Sequence, residues 1–483
     1  MENKLIYDVE EKPEKRSQWL LFSIQHILAM LVACITVPIL TGLPIAATLV
    51  SAGIGTLFYI LVTNRKSPVF LSSSFAYLSP MSSALAVGLL HENTGRNYMA
   101  LILGMILVGL VYVIVALVIR AVGTSWINKL LPPIVVGPII MVIGLSLAGS
   151  AVSNLTAEAT SGYNLIAILC GLIALLATAM ACIFGKGKMI SLIPFVIGMV
   201  CGYLAALIFT IFGTIFDVAY LKIIDFSPLK AIFVDDFGIH SIINYRLFVP
   251  NNAESFIFLR FNEIKDFDFG KIGEIILLFV PVSLVTICEH IGDHKNLGNI
   301  INRDLLNDEP GMSKTLIGDG VATAISGTLC GAANTTYGEN VAVIGTTKVA
   351  SISVISFAAI LTIIIGFITP FTALLATIPG CITGGVSLIL YGFIASSGVK
   401  MLISEKVDLT DNKNIFIASV ILIAGIGGLK LLFGNALNPV ITISPIAVAM
   451  ILGILLNFIL NLKKDKPVEE PIKEEVQEAK EEE

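Results

Sequence analysis

"IILLFVPVSLVTIC" (Ile275–Cys288) runs directly into "EHIGDHKNLGNI" (Glu289–Ile300), and this junction decides how the chain is read. The first stretch has no charge; then Glu289, His290, Asp293 and His294 arrive within six residues. A long uncharged run suits a bilayer interior, where an acid costs roughly 2.5–3.5 kcal/mol even on the mild insertion scale. Acids kept at such a place mark function. On a helix Glu289 and Asp293 share one face, and His290 and His294 share another about 100° round. Two carboxylates on one dry face cannot both ionise cheaply, so the pair is a candidate to hold and release a proton. The alternative puts Asp293 and His294 at the cytoplasmic headgroup level, merely solvated.

The rest of the chain agrees with a membrane setting. Of 483 residues 56% are hydrophobic and 13% charged, and mean hydropathy is +0.90. Soluble domains carry about 25% charged residues, so polar surface here is too scarce to coat a globule of this size. The net charge of −5 owes much to the tail Lys463–Glu483, which holds nine acids and five lysines and reads as solvated and disordered. All seven cysteines lie in or beside apolar segments, which argues against a disulfide framework. The polar start "MENKLIYDVEEKPEKRSQW" is unlike a cleavable signal peptide.

Counting apolar runs of roughly 20 residues, shorter where interrupted, gives fourteen expected spans. Seven precede a long loop: Leu20–Leu40, Ile45–Val62, Val69–Leu90, Met99–Ile119, Leu131–Val152, Tyr163–Phe184 and Ile190–Phe212. Seven follow it: Ile272–His290, Lys314–Cys330, Ala332–Thr347, Val349–Ile378, Cys381–Leu402, Asn414–Leu432 and Ile441–Leu460. Arg65, Lys66, Arg120, Lys129, Lys186, Lys188, Lys295, Arg303, Lys348, Lys400, Lys406 and Lys413 then fall on one side, against Arg96 and Lys430 on the other. The positive-inside rule places both termini in the cytoplasm and the loop Asp217–Lys271 outside.

The halves resemble each other. "GPIIMVIGLSLAGSAV" (Gly137–Val152) parallels "GVSLILYGFIASSGVK" (Gly385–Lys400), with glycines seven apart in both. "SSSFA" (Ser72–Ala76) parallels "TTYGE" (Thr335–Glu339). Seven spans per half would make an inverted repeat, the plan of secondary transporters with a midplane site. Shared composition of glycine-rich apolar stretches is the bland alternative. The hydroxyl-rich interruptions are expected to be short extended stretches followed by half-helices beginning near Phe75 and Gly338. Such backbone survives at membrane depth only where it lines a cavity, and a half-helix start aims free N–H donors into it. Two ordinary short helices with Ser/Thr back-bonding are the competing reading.

Other ionisable residues inside apolar segments are few: His26, Asp319 and Glu339. A lone His26 is more often a packed, hydrogen-bonded residue than a ligand. Asp319 either orients the half-helices or sits near the interface. The pair His290–His294 has zinc-ligand spacing, but Ile291 stands where H-E-x-x-H needs its acid, and no nucleophile motif occurs. Enzyme chemistry is not expected.

These residues together resemble the nucleobase–ascorbate (nucleobase:cation symporter 2) family, and within it the bacterial branch that carries uracil. The resemblance runs from "QHILAM" (Gln25–Met30) to the last span through "SSFAYLSPM" (Ser73–Met81), "EHIGDH" (Glu289–His294), "TTYGENVAVIGTTK" (Thr335–Lys348) and "GGVSLILYG" (Gly384–Gly392). It implies an all-α polytopic membrane protein of 14 segments in a 7+7 inverted repeat, with two short β-strands and half-helices in segments 3 and 10. It further implies a core domain (20–119 and 272–378), a gate domain (131–212 and 379–462), a cytoplasmic segment 1–19, an extracytoplasmic loop 213–271 and a tail 463–483. By motif, Glu289 and Glu339 would accept hydrogen bonds from pyrimidine N–H groups, and backbone at Phe75 and Gly338 would donate to its carbonyls. Tyr337, Tyr391 and Ala33 would line the pocket. Glu289, Asp293, His290 and Glu339 would couple a proton, supported by His26, Asp319 and His294. The partners implied are uracil, a proton, the bilayer and a second copy through the gate, with no cofactor, metal or nucleic acid. Asp293 stands where the uracil branch usually has His, and Ala342 where the motif usually has Gly. Alternatives are a purine, xanthine or urate permease of the same fold, a non-transporting membrane sensor, and an anion transporter, which paired acids disfavour.

Overall fold

The computed structural model describes residues 5–86, 97–123, 125–156, 163–185, 190, 193–235, 237–249, 256, 269–435 and 438–462. The tail 463–483, Arg96, Lys186, Lys188 and the end of the third expected span lie outside the described residues.

Apolar composition and scarce helix breakers give long helices. In the first half these are α1 (Arg16–Thr41), α2 (Ile45–Val62), α3 (Leu78–Ala86), α4 (Tyr98–Val122), α5 (Pro133–Ser146), α6 (Ala148–Thr156), α7 (Leu165–Phe184) and α8 (Pro194–Ile215). The second half has α9 (Ile272–Ile301), α10 (Met312–Thr328), α11 (Gly338–Thr347), α12 (Ile352–Phe367), α13 (Thr369–Ala376), α14 (Gly380–Ser404), α15 (Asn412–Ile426) and α16 (Pro445–Leu460). Among the described residues eight helical stretches are long and apolar enough to cross a membrane, and three shorter helices are also apolar. The molecule is a mostly helical, multi-pass membrane-type fold.

Two expected interruptions are present. β1 (Leu71–Ser73) pairs antiparallel with β2 (Asn334–Thr336), Ser72 opposite Thr335. Their outer backbone groups are met by side chains: Leu71 N–H donates to Thr56 Oγ1 at 3.0 Å, and Thr323 Oγ1 donates to the Asn334 carbonyl at 2.6 Å. That is why extended backbone is tolerated among helices. α11 starts at Gly338 as expected, but α3 starts at Leu78, because residues 75–77 form a turn first. The eleventh expected span is broken at Ile368 into α12 and α13, with Pro370 opening the second piece.

Segments 13 and 14 need correction. α15 ends at Ile426, and β3 (Leu431–Asn435) and β4 (Asn438–Ile443) form an antiparallel hairpin where the sequence reading had span ends. Gly428, at φ 73°, stops the helix, and the β-branched "NPVITI" then favours a strand.

Helix contacts sort into two bundles. α10 packs on α4 and α2, α12 on α2 and α1, and α9 on α4 and α11. In the other bundle α14 packs on α5, α6 and α7, α15 on α5 and α16, and α7 on α8. Small residues allow these contacts. A Cβ on Gly320 would lie 2.3 Å from Tyr112 Cβ, and one on Gly398 would lie 2.4 Å from the Gly137 carbonyl oxygen. The two internally similar stretches of sequence, in α5 and α14, thus lie against each other.

Candidate functional site

The site assembles where β2 hands over to α11. Tyr337 caps that helix without a side-chain hydrogen bond, and Glu339 stands in its first turn. Opposite runs α9. A Cβ built on Gly338 would sit 3.4 Å from Asp293 Oδ1, so the Asp293 carboxylate lies at the N-terminal end of α11, where the helix dipole favours negative charge. Glu289 and Asp293, one turn apart, are both half-buried on the same side of α9. Asp293 thus lies beside the start of α11, next to Gly338 and one residue from Glu339.

The other face of α9 is packed. His290 and His294 are fully buried with ring centroids 4.0 Å apart. His290 Nδ1 lies 2.7 Å from Asp319 Oδ2 and its Nε2 lies 3.0 Å from Thr315 Oγ1, both on α10. His294 Nδ1 is 2.8 Å from the His290 carbonyl, and its Nε2 is 2.6 Å from the Tyr59 hydroxyl on α2. The solvated headgroup reading of His294 is thereby excluded. Asp319, also fully buried, is the partner of His290 rather than an interfacial residue. These contacts set the rotation of α9, and so the direction in which Glu289 and Asp293 point.

His26 holds the second arm. Its Nδ1 lies 2.7 Å from Asn340 Oδ1, which joins α1 to the first turn of α11 beside Glu339. Around that turn Tyr337 OH, Thr335 Oγ1 and Asn340 Nδ2 are buried with no protein partner. Buried polar groups are rarely left so, and a cluster of them fits a polar ligand. On the first arm Phe75 meets Tyr391 of α14 edge-on at 6.0 Å, a ring contact between the two bundles. Cys34 lies within 3.5 Å of Ser72 Oγ and 3.4 Å of Ser73 Oγ, fixing β1 to α1.

A cavity of about 190 Å³ leads to Glu339 between the bundles, bordered by Ala29 and Val32 of α1, Val343 and Thr346 of α11, Phe195 of α8 and Phe393 of α14. Ala33 is fully buried and does not border this cavity, and neither do Phe75, Glu289, Tyr337, Gly338 or Tyr391; of the expected substrate contacts Glu339 borders it. Phe195 and Phe393, which face each other at 5.9 Å, carry no motif and are visible only in the fold. Among the described residues no His/Cys/Asp/Glu cluster has the geometry to hold a metal ion.

A family model described as "Permease family" matches residues 17–433. A uracil permease of Bacillus caldolyticus is 39% identical over 94% of this chain and 94% of its own length. A uracil permease of Bacillus subtilis (strain 168) is 37% identical over 90% of this chain and 91% of its own. In fold, the transmembrane domain of a cyanobacterium bicarbonate transporter, BicA, is similar with a TM-score of 0.58 at 14% identity, covering 94% of this chain and 99% of that one.

Proposed function

Because the chain belongs to the permease family, we propose that it is a secondary active transporter that imports uracil together with a proton by alternating access. Family and neighbours are transporters, so the catalytic reading falls away. The observation that carries the substrate is the approach of α9, with Glu289 and Asp293 on one side, to the start of α11, where Glu339 stands in the first turn. Uracil is flat and uncharged, with two N–H donors and two carbonyl acceptors. Glu289 and Glu339 take the donors; backbone N–H groups at Phe75 and Gly338 meet the carbonyls; Tyr337 and Tyr391 close over the ring. An anion would face three repelling carboxylates, a neutral ring none.

Coupling follows from the same repulsion. A site holding three carboxylates must take up a proton before it can pass through a low-dielectric barrier, and Glu289, Asp293 and Glu339 are the groups that share it. His290 orients α9 through Asp319, with His294 and His26 in support.

The fourteen-span inverted repeat is the architecture that suits this mechanism, with 20–119 and 272–378 as the moving core and 131–212 and 379–462 as the gate. Its support is the division of helix contacts and the pairing of β1 with β2. Both termini lie in the cytoplasm on this reading. The cavity beside Glu339 then opens inward, since its walls include the ends of α7 and α11. Pairing of two copies through the gate belongs to the same proposal.

The test is uptake of radiolabelled uracil into vesicles holding the full chain. Uptake that collapses with a protonophore, and that unlabelled uracil inhibits far better than xanthine, hypoxanthine or urate, supports the proposal. Purine-dominated competition moves the substrate to the alternative of the same family, and insensitivity to the protonophore removes the proton.

A further inference from the structure

Val234 and residues 237–248, between α8 and α9, bury polar side chains and expose most of their large apolar ones. Ser241 and Leu247 are fully buried and His240 and Asn244 nearly so, while Val234 is 71% exposed, Phe237 70% and Ile239 75%, with Ile242, Ile243 and Phe248 also exposed. The polar residues are used inward. Ser241 Oγ donates to the Ile232 carbonyl at 2.8 Å and accepts from Gly238 N–H at 3.0 Å. Thr369 Oγ1 donates to the His240 carbonyl at 2.6 Å, and Asn244 N–H donates to the Phe367 carbonyl at 2.8 Å. A loop in water does the reverse, hiding its large apolar side chains and showing its polar ones. So dense an apolar patch marks an interface.

The place of the patch says what covers it. α8 ends with Ile211, Phe212, Ile215 and Phe216 exposed, and a stretch with Asp217, Lys222, Asp225 and Lys230 exposed separates it from the patch. It is fixed by an antiparallel bridge between Ile243 and Ile368, at the break between α12 and α13, and Phe248 stacks on Phe367 at 5.8 Å. Ile364 and Ile368 are themselves exposed beside that bridge. The patch thus continues the exposed apolar side chains of the α12–α13 break, and it carries the aromatic and branched side chains that settle at a bilayer boundary.

We propose that residues 237–248, with Val234, are inserted in the membrane and lie at the headgroup–acyl boundary of the leaflet on their side. The connection between the two bundles is then held by lipid and by the α12–α13 break, and is not a solvated linker. This holds whatever solute the protein carries.

Tryptophan reporters test it. Phe237→Trp and Tyr245→Trp are made singly in a full-length chain carrying Trp19→Phe and Trp126→Phe, and reconstituted in phosphatidylcholine vesicles. Both sites are exposed in the fold; Phe237 is 70% exposed, and at Tyr245 an indole can keep the edge contact with His240. Expected is blue-shifted emission that loses roughly half its intensity to lipids brominated near the headgroup end of the acyl chain, as insertion to about 5–10 Å requires, with weak quenching by aqueous acrylamide. Quenching by acrylamide as for free indole, with none by brominated lipid, overturns the proposal in favour of a solvated loop. Quenching by neither overturns it in favour of a face covered by protein, such as a second copy.

Discussion

The two crossover arms, Leu71–Ala86 and Asn334–Thr347, share one plan and differ in chemistry. Each is a three-residue strand leading to a short helix, and the strands are hydrogen-bonded to each other. The first arm offers only hydroxyls and apolar groups, with Ser72 and Ser73 turned to Cys34. The second carries Glu339 and Asn340, and its Gly338 lies beside the Asp293 carboxylate of α9. Similar scaffolding thus serves two purposes. One arm offers the ring only backbone; the other adds charge. Of two such arms only one needs to be charged, because burying a second set of acids would add cost without a further partner.

The sharpest way to break this contrast is Glu339→Gln. The amide keeps the shape and loses the charge, and a hydrogen bond to a charged group contributes about 1.5–3 kcal/mol, so uracil affinity should fall roughly 10- to 150-fold in equilibrium binding to purified protein. An unchanged affinity would make the arms equivalent. The pH dependence ranks next. If ring and proton enter together, affinity falls as pH rises, by at most about tenfold per unit for each proton taken up. Affinity that rises with pH would show that the empty site, not the loaded one, holds the proton.

His26→Ala probes how the second arm is held. It removes the bond to Asn340, worth about 0.5–1.5 kcal/mol, and should raise KM about 2- to 13-fold with maximal uptake little changed. A fall in maximal uptake at constant KM would make His26 part of the moving machinery. The smallest effect is expected from Ser73→Ala in the first arm, less than about threefold in affinity, since only a weak contact to a thiol is lost. A loss there as large as that of Glu339→Gln would erase the distinction between the arms.

Much of this was legible in the sequence because the bilayer leaves few choices. Apolar length locates helices, and an acid among apolar residues must have a reason, which is how Glu289, Asp319 and Glu339 stood out. Glycine and hydroxyl runs marked the crossover arms. Pairings over long sequence separations were not legible. Asp319 was ambiguous until α10 brought it 2.7 Å from His290, and His294 until Tyr59 met it. The hairpin β3–β4 reads as span ends in the sequence because apolar strand and apolar helix look alike over so few residues. Phe195 and Phe393 become neighbours only when α8 packs near α14, and no motif announces that.

The most direct measurement is the position of uracil in a density map of the purified protein with the base bound. Expected is a ring whose two N–H groups lie at about 3 Å from the carboxylates of Glu289 and Glu339, with its carbonyls against the starts of α3 and α11. A ring that touches α9 alone, or that lies away from Glu339, contradicts the account.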